Sequence, residues 1–188
     1  MVILRPTRKL QKSLPVAGVG RVVSDTALGD WYVNRVVVKH RPLLILVSSA
    51  SLLPILVPAR NVRELPDRLS AIVATRLRRC GIPAGTIEAE QEAMATIMIE
   101  PTIDRSVVGI MVEFARALPY NPAVGQLDEA ALFSVEDWLA ETPCRAAGGH
   151  EEVVFPDRKA PELLMQKWGW LTSGCTRRRR VLTVNGRG

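Results

Sequence analysis

Asp104-Arg105-Ser106 sets a carboxylate, a guanidinium and a hydroxyl side by side at the start of an apolar helical run. The free N–H groups of a helix start, together with an arginine and a hydroxyl, would hold an anion. The same three residues also read as an ordinary cap, with Asp104 or Ser106 satisfying the backbone and Arg105 solvated. Glu113 follows two turns after Ser106 and offers a carboxylate near the same face. An enzyme built here would act on a phosphate-bearing substrate such as RNA. Lys9 and Arg105 would bind phosphate, and Glu113 or Glu141 would serve as base.

Other chemistries lack their residues. Gly18-x-Gly20 has neither the third glycine nor the following helix of a phosphate-binding loop, so it reads as a turn. No GxSxG, HExxH or EF-hand pattern occurs. His40 and His150 are the two histidines, without ligand spacing, so no metal and no cofactor is expected. Cys80, Cys144 and Cys175 are scattered and form no CxxC pair, which points to incidental thiols and away from zinc or a disulfide framework.

The 188 residues carry a formal charge of +6, unevenly placed. Arg177, Arg178, Arg179, Arg180 and Arg187 supply +5 of it, and Arg5, Arg8, Lys9 and Lys12 open the chain. Residues 13–176 sum to −3. The body is nearly neutral and the ends are basic. The arginine tail is a candidate nucleic-acid contact, or simply a solvated end. The basic N-terminus is followed by no apolar signal segment, so the expected location is the cytoplasm.

The elements that must position these groups centre on Asp30–Arg60, the longest apolar stretch. Trp31–Val38, Leu43–Val47 and Leu52–Val57 read as strands. Pro54 cannot donate to a ladder, which puts the last of them at an edge or at a bulge. A membrane span fails here. The uncharged window Pro42–Pro58 is 17 residues long and contains three serines and Pro54, whereas a span needs about 20 apolar residues.

Thr7 opens a short helix carrying Leu10 and Leu14 in this reading, and Val19–Val23 forms a short strand. Asn61 and Glu64 have capping-box spacing before a helix whose apolar stripe is Leu65, Leu69, Ile72, Val73 and Leu77. Its arginines, including Arg76 and Arg79, lie off the stripe, as on a solvated face. Thr86–Glu92 is acidic and ambiguous, and Ala95–Ile99 is strand-like. A second helix covers Arg105–Leu118, with Gly109 inside it for close packing on the sheet. Ser134 caps a third helix running to Glu141, Val153–Phe155 is a last strand, and Pro161 begins a terminal helix.

Several pieces resemble a family of uncharacterised bacterial domains of unknown function. They are Thr7-Arg8-Lys9-Leu10, Leu28-Gly29-Asp30-Trp31-Tyr32-x-Asn34, Arg105-Ser106-Val107-Val108-Gly109-x-Met111 with Phe114, and Glu141-Thr142-Pro143. They occur in the family's order and span residues 3–165. Members typically carry Asn-Asp after the methionine, where this chain has Val112-Glu113. The resemblance implies a compact bacterial single-domain protein without an established activity. Should Lys9, Trp31, Asn34, Arg105, Ser106 and Glu141 converge, they would make a polar ligand site. Trp31 and Tyr32 would otherwise pack in the core.

The expectation is therefore one α+β domain over residues 1–170. It has a mainly antiparallel sheet with helices on one face, and a basic tail follows at 171–188. The function expected first is a non-catalytic binding module for a partner protein or an anionic ligand, an accessory of a mobile-element or toxin–antitoxin type operon. The phosphate-directed enzyme and nucleic-acid binding through the basic termini are the alternatives.

Overall fold

The computed structural model describes residues 1–16, 23–125, 128–145 and 153–170. A five-stranded sheet runs through the middle. Its strands are β1 (Val2–Pro6), β2 (Trp31–Val38), β3 (Arg41–Ser48), β4 (Pro54–Pro58) and β5 (Ile97–Ile99), in the spatial order β4-β3-β2-β1-β5. β2 pairs antiparallel with β3, and β3 with β4. β1 is parallel to both of its neighbours, β2 and β5. A short antiparallel ladder joins β6 (Cys144–Arg145) and β7 (Val153–Val154). The α+β class follows, with a mixed sheet in which antiparallel pairings predominate.

Among the described residues five α-helices surround it: α1 (Leu65–Arg79), α2 (Ala84–Ala93), α3 (Arg105–Ala117), α4 (Glu129–Ala140) and α5 (Pro156–Trp168). They cover both faces of the sheet, and not the one face expected. Alternate strand residues point to opposite sides. Leu4, Trp31, Val33 and Leu46 pack under Leu69, Val73 and Leu77 of α1, with Ile87 of α2 and Leu164 of α5. Tyr32, Ile45 and Val47 pack on the other side under Met111 and Phe114 of α3 and Val135 and Leu139 of α4. This is why Leu43–Val47 is apolar without interruption. A strand buried on both sides has no polar positions to alternate with.

Helix boundaries follow local chemistry, with corrections. Asp104 caps α3, its Oδ1 accepting from Ser106 N at 2.7 Å. Asn61 does not cap α1; it adopts a left-handed φ of 48°. Pro66 does sit in that helix's first turn. The acidic segment at 86–92 is helical, within α2. α4 starts earlier than expected, because Asp128 Oδ1 accepts from Ala131 N at 2.7 Å. α5 begins at Pro156 and carries Pro161 inside it. Residues 8–13 form successive turns and not a helix, although Leu10 and Leu14 are buried as that reading required. Gly109 meets no close neighbour, so tight packing is not its reason.

The edge position expected for the Pro54 strand is observed. Leu53 O accepts from Ser48 N at 3.2 Å, and Ala59 N donates to Pro42 O at 3.0 Å. Odd-numbered residues of β4 thus face β3, and residues 54, 56 and 58 turn their backbone outward. Two of those three are prolines, with no N–H to present.

Loops are tied by buried carboxylates. Glu90 of α2 accepts from Ala27 N at 2.8 Å, Leu28 N at 3.1 Å and Trp168 Nε1 at 2.7 Å. That joins α2, α5 and the loop before β2. No helix among the described residues is long and apolar enough to cross a membrane.

Candidate functional site

Strands β5, β1 and β2 are parallel neighbours, so the segments that leave their ends share one end of the sheet. Thr7 and Lys9 follow β1, and Glu100 to Ser106 follow β5. Thr7 Oγ1 donates to Asn34 Oδ1 of β2 at 2.9 Å. Tyr32 Oη accepts from Asp104 N at 3.1 Å, and burial pushes the tyrosine hydroxyl pKa up. Buried Arg5 is held by Asp30, Nε to Oδ2 at 2.5 Å, by Glu100 at 3.3 Å and by the Pro101 carbonyl at 2.7 Å. Ser24 Oγ donates to the second Asp30 oxygen at 2.5 Å.

Four residues singled out in the sequence, Lys9, Asn34, Arg105 and Ser106, belong to segments at this end. The helix start is already occupied from within, since Ser106 N and Ser106 Oγ both donate to Asp104 Oδ1, at 2.7 and 2.6 Å. Lys9 and Arg105 are exposed and make no ion pair with another described residue. Trp31 is fully buried in the core, and its Nε1 donates to no other described residue. Glu113 is exposed on α3, and its charge adds to burial in raising the Cys144 thiol to about 11. Glu141 caps the C-terminus of α4, on a cleft that neither Lys9 nor Arg105 lines.

That cleft belongs to an assembly the sequence reading missed. Arg76 lies buried and not on a solvated face. It pairs with Asp137 and approaches Glu136 at 3.9 Å. Arg79 binds Glu136 Oε2 at 2.5 Å and Asp137 Oδ1 at 2.8 Å, and its guanidinium lies 4.0 Å from the centre of the Phe133 ring. Glu136 also accepts from Leu56 N at 2.7 Å, which engages the one remaining outward donor of β4. Burial pushes the Glu136 carboxyl pKa up, against the downward pull of the Leu56 N–H and the two guanidiniums. The spacing of Arg76 and Arg79, three apart on α1, and the adjacent Glu136-Asp137 were the available signal.

Two hollows flank these ion pairs. One, of about 240 Å³, is the polar cleft holding Asp137, Glu141, Asp157 and Cys80. The other, of about 470 Å³, is a groove beside the edge strand β4, between α1 and α4. Leu56, Val57, Ile72 and Phe133 give it an apolar floor, and Arg68 and Arg79 stand on its rim. No group of three or more metal-ligating side chains occurs among the described residues. His150, Gly18, Gly20, Cys175 and the tail arginines Arg177, Arg178, Arg179 and Arg180 lie outside the described residues.

A family model described as a domain of unknown function, DUF6933, matches residues 3–159. No curated protein and no solved structure matches the chain.

Proposed function

We propose that this chain, which belongs to the DUF6933 family of domains of unknown function, is a non-catalytic binding module whose recognition surface is the groove between β4, α1 and α4. The observation that carries this reading is the groove itself. It is a hollow of about 470 Å³ with an apolar floor and an arginine rim, beside a strand edge whose one outward N–H, that of Leu56, is already engaged. Such a surface rewards a partner with an apolar body and negative charge. The carboxylates around it are committed to Arg76, Arg79 and the Leu56 N–H, so they act as scaffold. The setting that goes with this reading is the bacterial cytoplasm, in an accessory role.

Titration with anilinonaphthalene sulfonate, an anionic aromatic probe, tests it. Wild-type protein binds the probe saturably. Ala71→Glu, an exposed α1 position lining the groove, abolishes binding while circular dichroism remains native. Absence of saturable binding, or equal binding by the variant, rejects the groove as a recognition surface.

A second reading draws on the sheet end. Segments leaving the parallel strands β1 and β5 carry Lys9 and Arg105, two exposed cations that form no ion pair with another described residue, and ligands of open sheets gather at strand ends. This supports an enzyme acting on a phosphate-bearing substrate such as RNA, with Lys9, Asn34, Arg105 and Ser106 as binding residues and Glu113, on the same helix as Arg105, as base. Glu141 lines a different cleft and takes no part. RNA cleavage by purified wild type, abolished in Arg105→Ala, would establish it in place of the binding module.

A further inference from the structure

Resting on the groove reading, we infer that the partner is an acidic amphipathic helix of another protein, laid along α1 beside β4.

Strand addition is the usual way to bind at a sheet edge, and it needs both donors and acceptors from that edge. Here the outward positions of β4 are Pro54, Leu56 and Pro58. The prolines have no N–H, and the Leu56 N–H is taken by Glu136 at 2.7 Å. An incoming strand would find acceptors only and half of its ladder would be missing. A helix satisfies its own backbone and needs only side-chain contacts.

The dimensions agree. The arginine rim runs along α1 from Arg68 to Arg79, eleven positions that span about 16 Å at 1.5 Å per residue. That accommodates about three turns of a second helix, with anchors at i, i+3, i+4 and i+7. Val57, Ile72 and Phe133 are partly exposed on the floor to receive those anchors.

Charge selects an acidic helix. Of the lining arginines, Arg79 and buried Arg76 are balanced by Glu136 and the adjacent Asp137, which leaves Arg68 as the uncompensated charge. Asp137 lies beside this set, and Arg76 and Arg79 are shared between the two carboxylates. Arg68 is exposed and makes no ion pair with another described residue. A carboxylate on the flank of the incoming helix would give it a partner.

The test displaces anilinonaphthalene sulfonate from the groove with synthetic peptides of about 15 residues, about four helical turns. One peptide carries leucines at helical anchor spacing with glutamates on the flanks. The second replaces glutamate by lysine, and the third interrupts the acidic peptide with proline. The acidic helix is expected to displace the probe and the other two to fail. Arg68→Glu, an exposed substitution, should weaken the acidic peptide about fivefold, the range of a rim ion pair, and strengthen the lysine peptide. Displacement by the proline-interrupted peptide, or by both charges equally, overturns the inference. A probe that binds but is displaced by no peptide overturns the helical partner and leaves the groove reading standing. A probe that never binds removes both.

Discussion

The Glu136 carboxylate on α4 accepts the backbone N–H of Leu56 on the edge strand β4 at 2.7 Å. This single bond completes the protection of an edge whose other outward donors are absent at Pro54 and Pro58. An open edge is a template for unwanted strand pairing, and proline is one of the standard remedies. The same carboxylate holds Arg79 at 2.5 Å and so fastens α4 to α1 across the edge.

Removing that carboxylate should be costly. Glu136→Ala leaves the Leu56 N–H without its acceptor and Arg76 and Arg79 with Asp137 as their one remaining carboxylate among the described residues. A loss of about 3–5 kcal/mol is expected, as for breaking a buried pair. Glu136→Gln keeps an acceptor for Leu56 and should lose less. Urea unfolding at neutral pH measures both, and equal losses would contradict the role given to the Leu56 bond.

Glu136 also sets a pH dependence. Its folded pKa lies above the ordinary 4.5, chiefly through burial. Between those two values the folded chain holds a proton that the unfolded chain has released. This group's contribution to stability therefore falls as pH rises from 4.5 through the folded pKa, and it is flat on either side. The stability of wild type relative to Glu136→Gln should be greatest below pH 4.5 and shrink as pH rises through the folded pKa. Urea midpoints across that range would show an increase instead if the carboxyl were lowered in the fold.

Trp31 separates a core role from a binding role. It is fully buried, and its Nε1 has no partner among the described residues. Trp31→Phe keeps an aromatic ring and removes fewer buried atoms, so it should cost clearly less than removal of the whole side chain. Trp31→Ala should cost about 3–5 kcal/mol through the cavity it leaves. Thermal unfolding of the two variants provides the check, and a phenylalanine variant as unstable as the alanine one would refute the core assignment.

Two glycines of the family-like pieces should respond in opposite directions. Gly29 has a φ of +72°, and an added Cβ would stand 2.4 Å from Ser49 Oγ, the acceptor of the Asp30 N–H. Gly29→Ala should destabilise by more than about 1 kcal/mol, from the backbone conformation alone. Gly109 lies in α3 with open space around it, so Gly109→Ala should stabilise by about 0.5–1 kcal/mol. Calorimetric melting of each variant reads the sign.

Much of the fold was legible in particular residues. The period-two and continuous apolar runs marked β2, β3 and β4, and Pro54 marked the edge. Asp104 marked the start of α3. The Leu65–Leu77 stripe marked α1. Other features were not readable locally. The covering of both sheet faces by helices depends on where the chain goes after each strand. The start of α4 at Asp128 was hidden by a competing capping pattern at Ser134. The candidate site was less legible still. Arg76 resembles any solvated helix arginine until Glu136 and Asp137, some 60 positions later, arrive beside it.

By itself, then, the sequence determined the class, most elements, the edge strand and the neutrality of the body. These depend on apolar period, proline chemistry and charge count, all of which are local or additive. Tertiary structure alone decided that helices cover both faces of the sheet, that Arg76 is buried against Glu136 and Asp137, and that α1, α4 and β4 enclose an arginine-rimmed groove. Those outcomes depend on which distant side chains meet in a desolvated space. There one ion pair or one backbone donor changes the balance, and spacing along the chain does not encode the meeting.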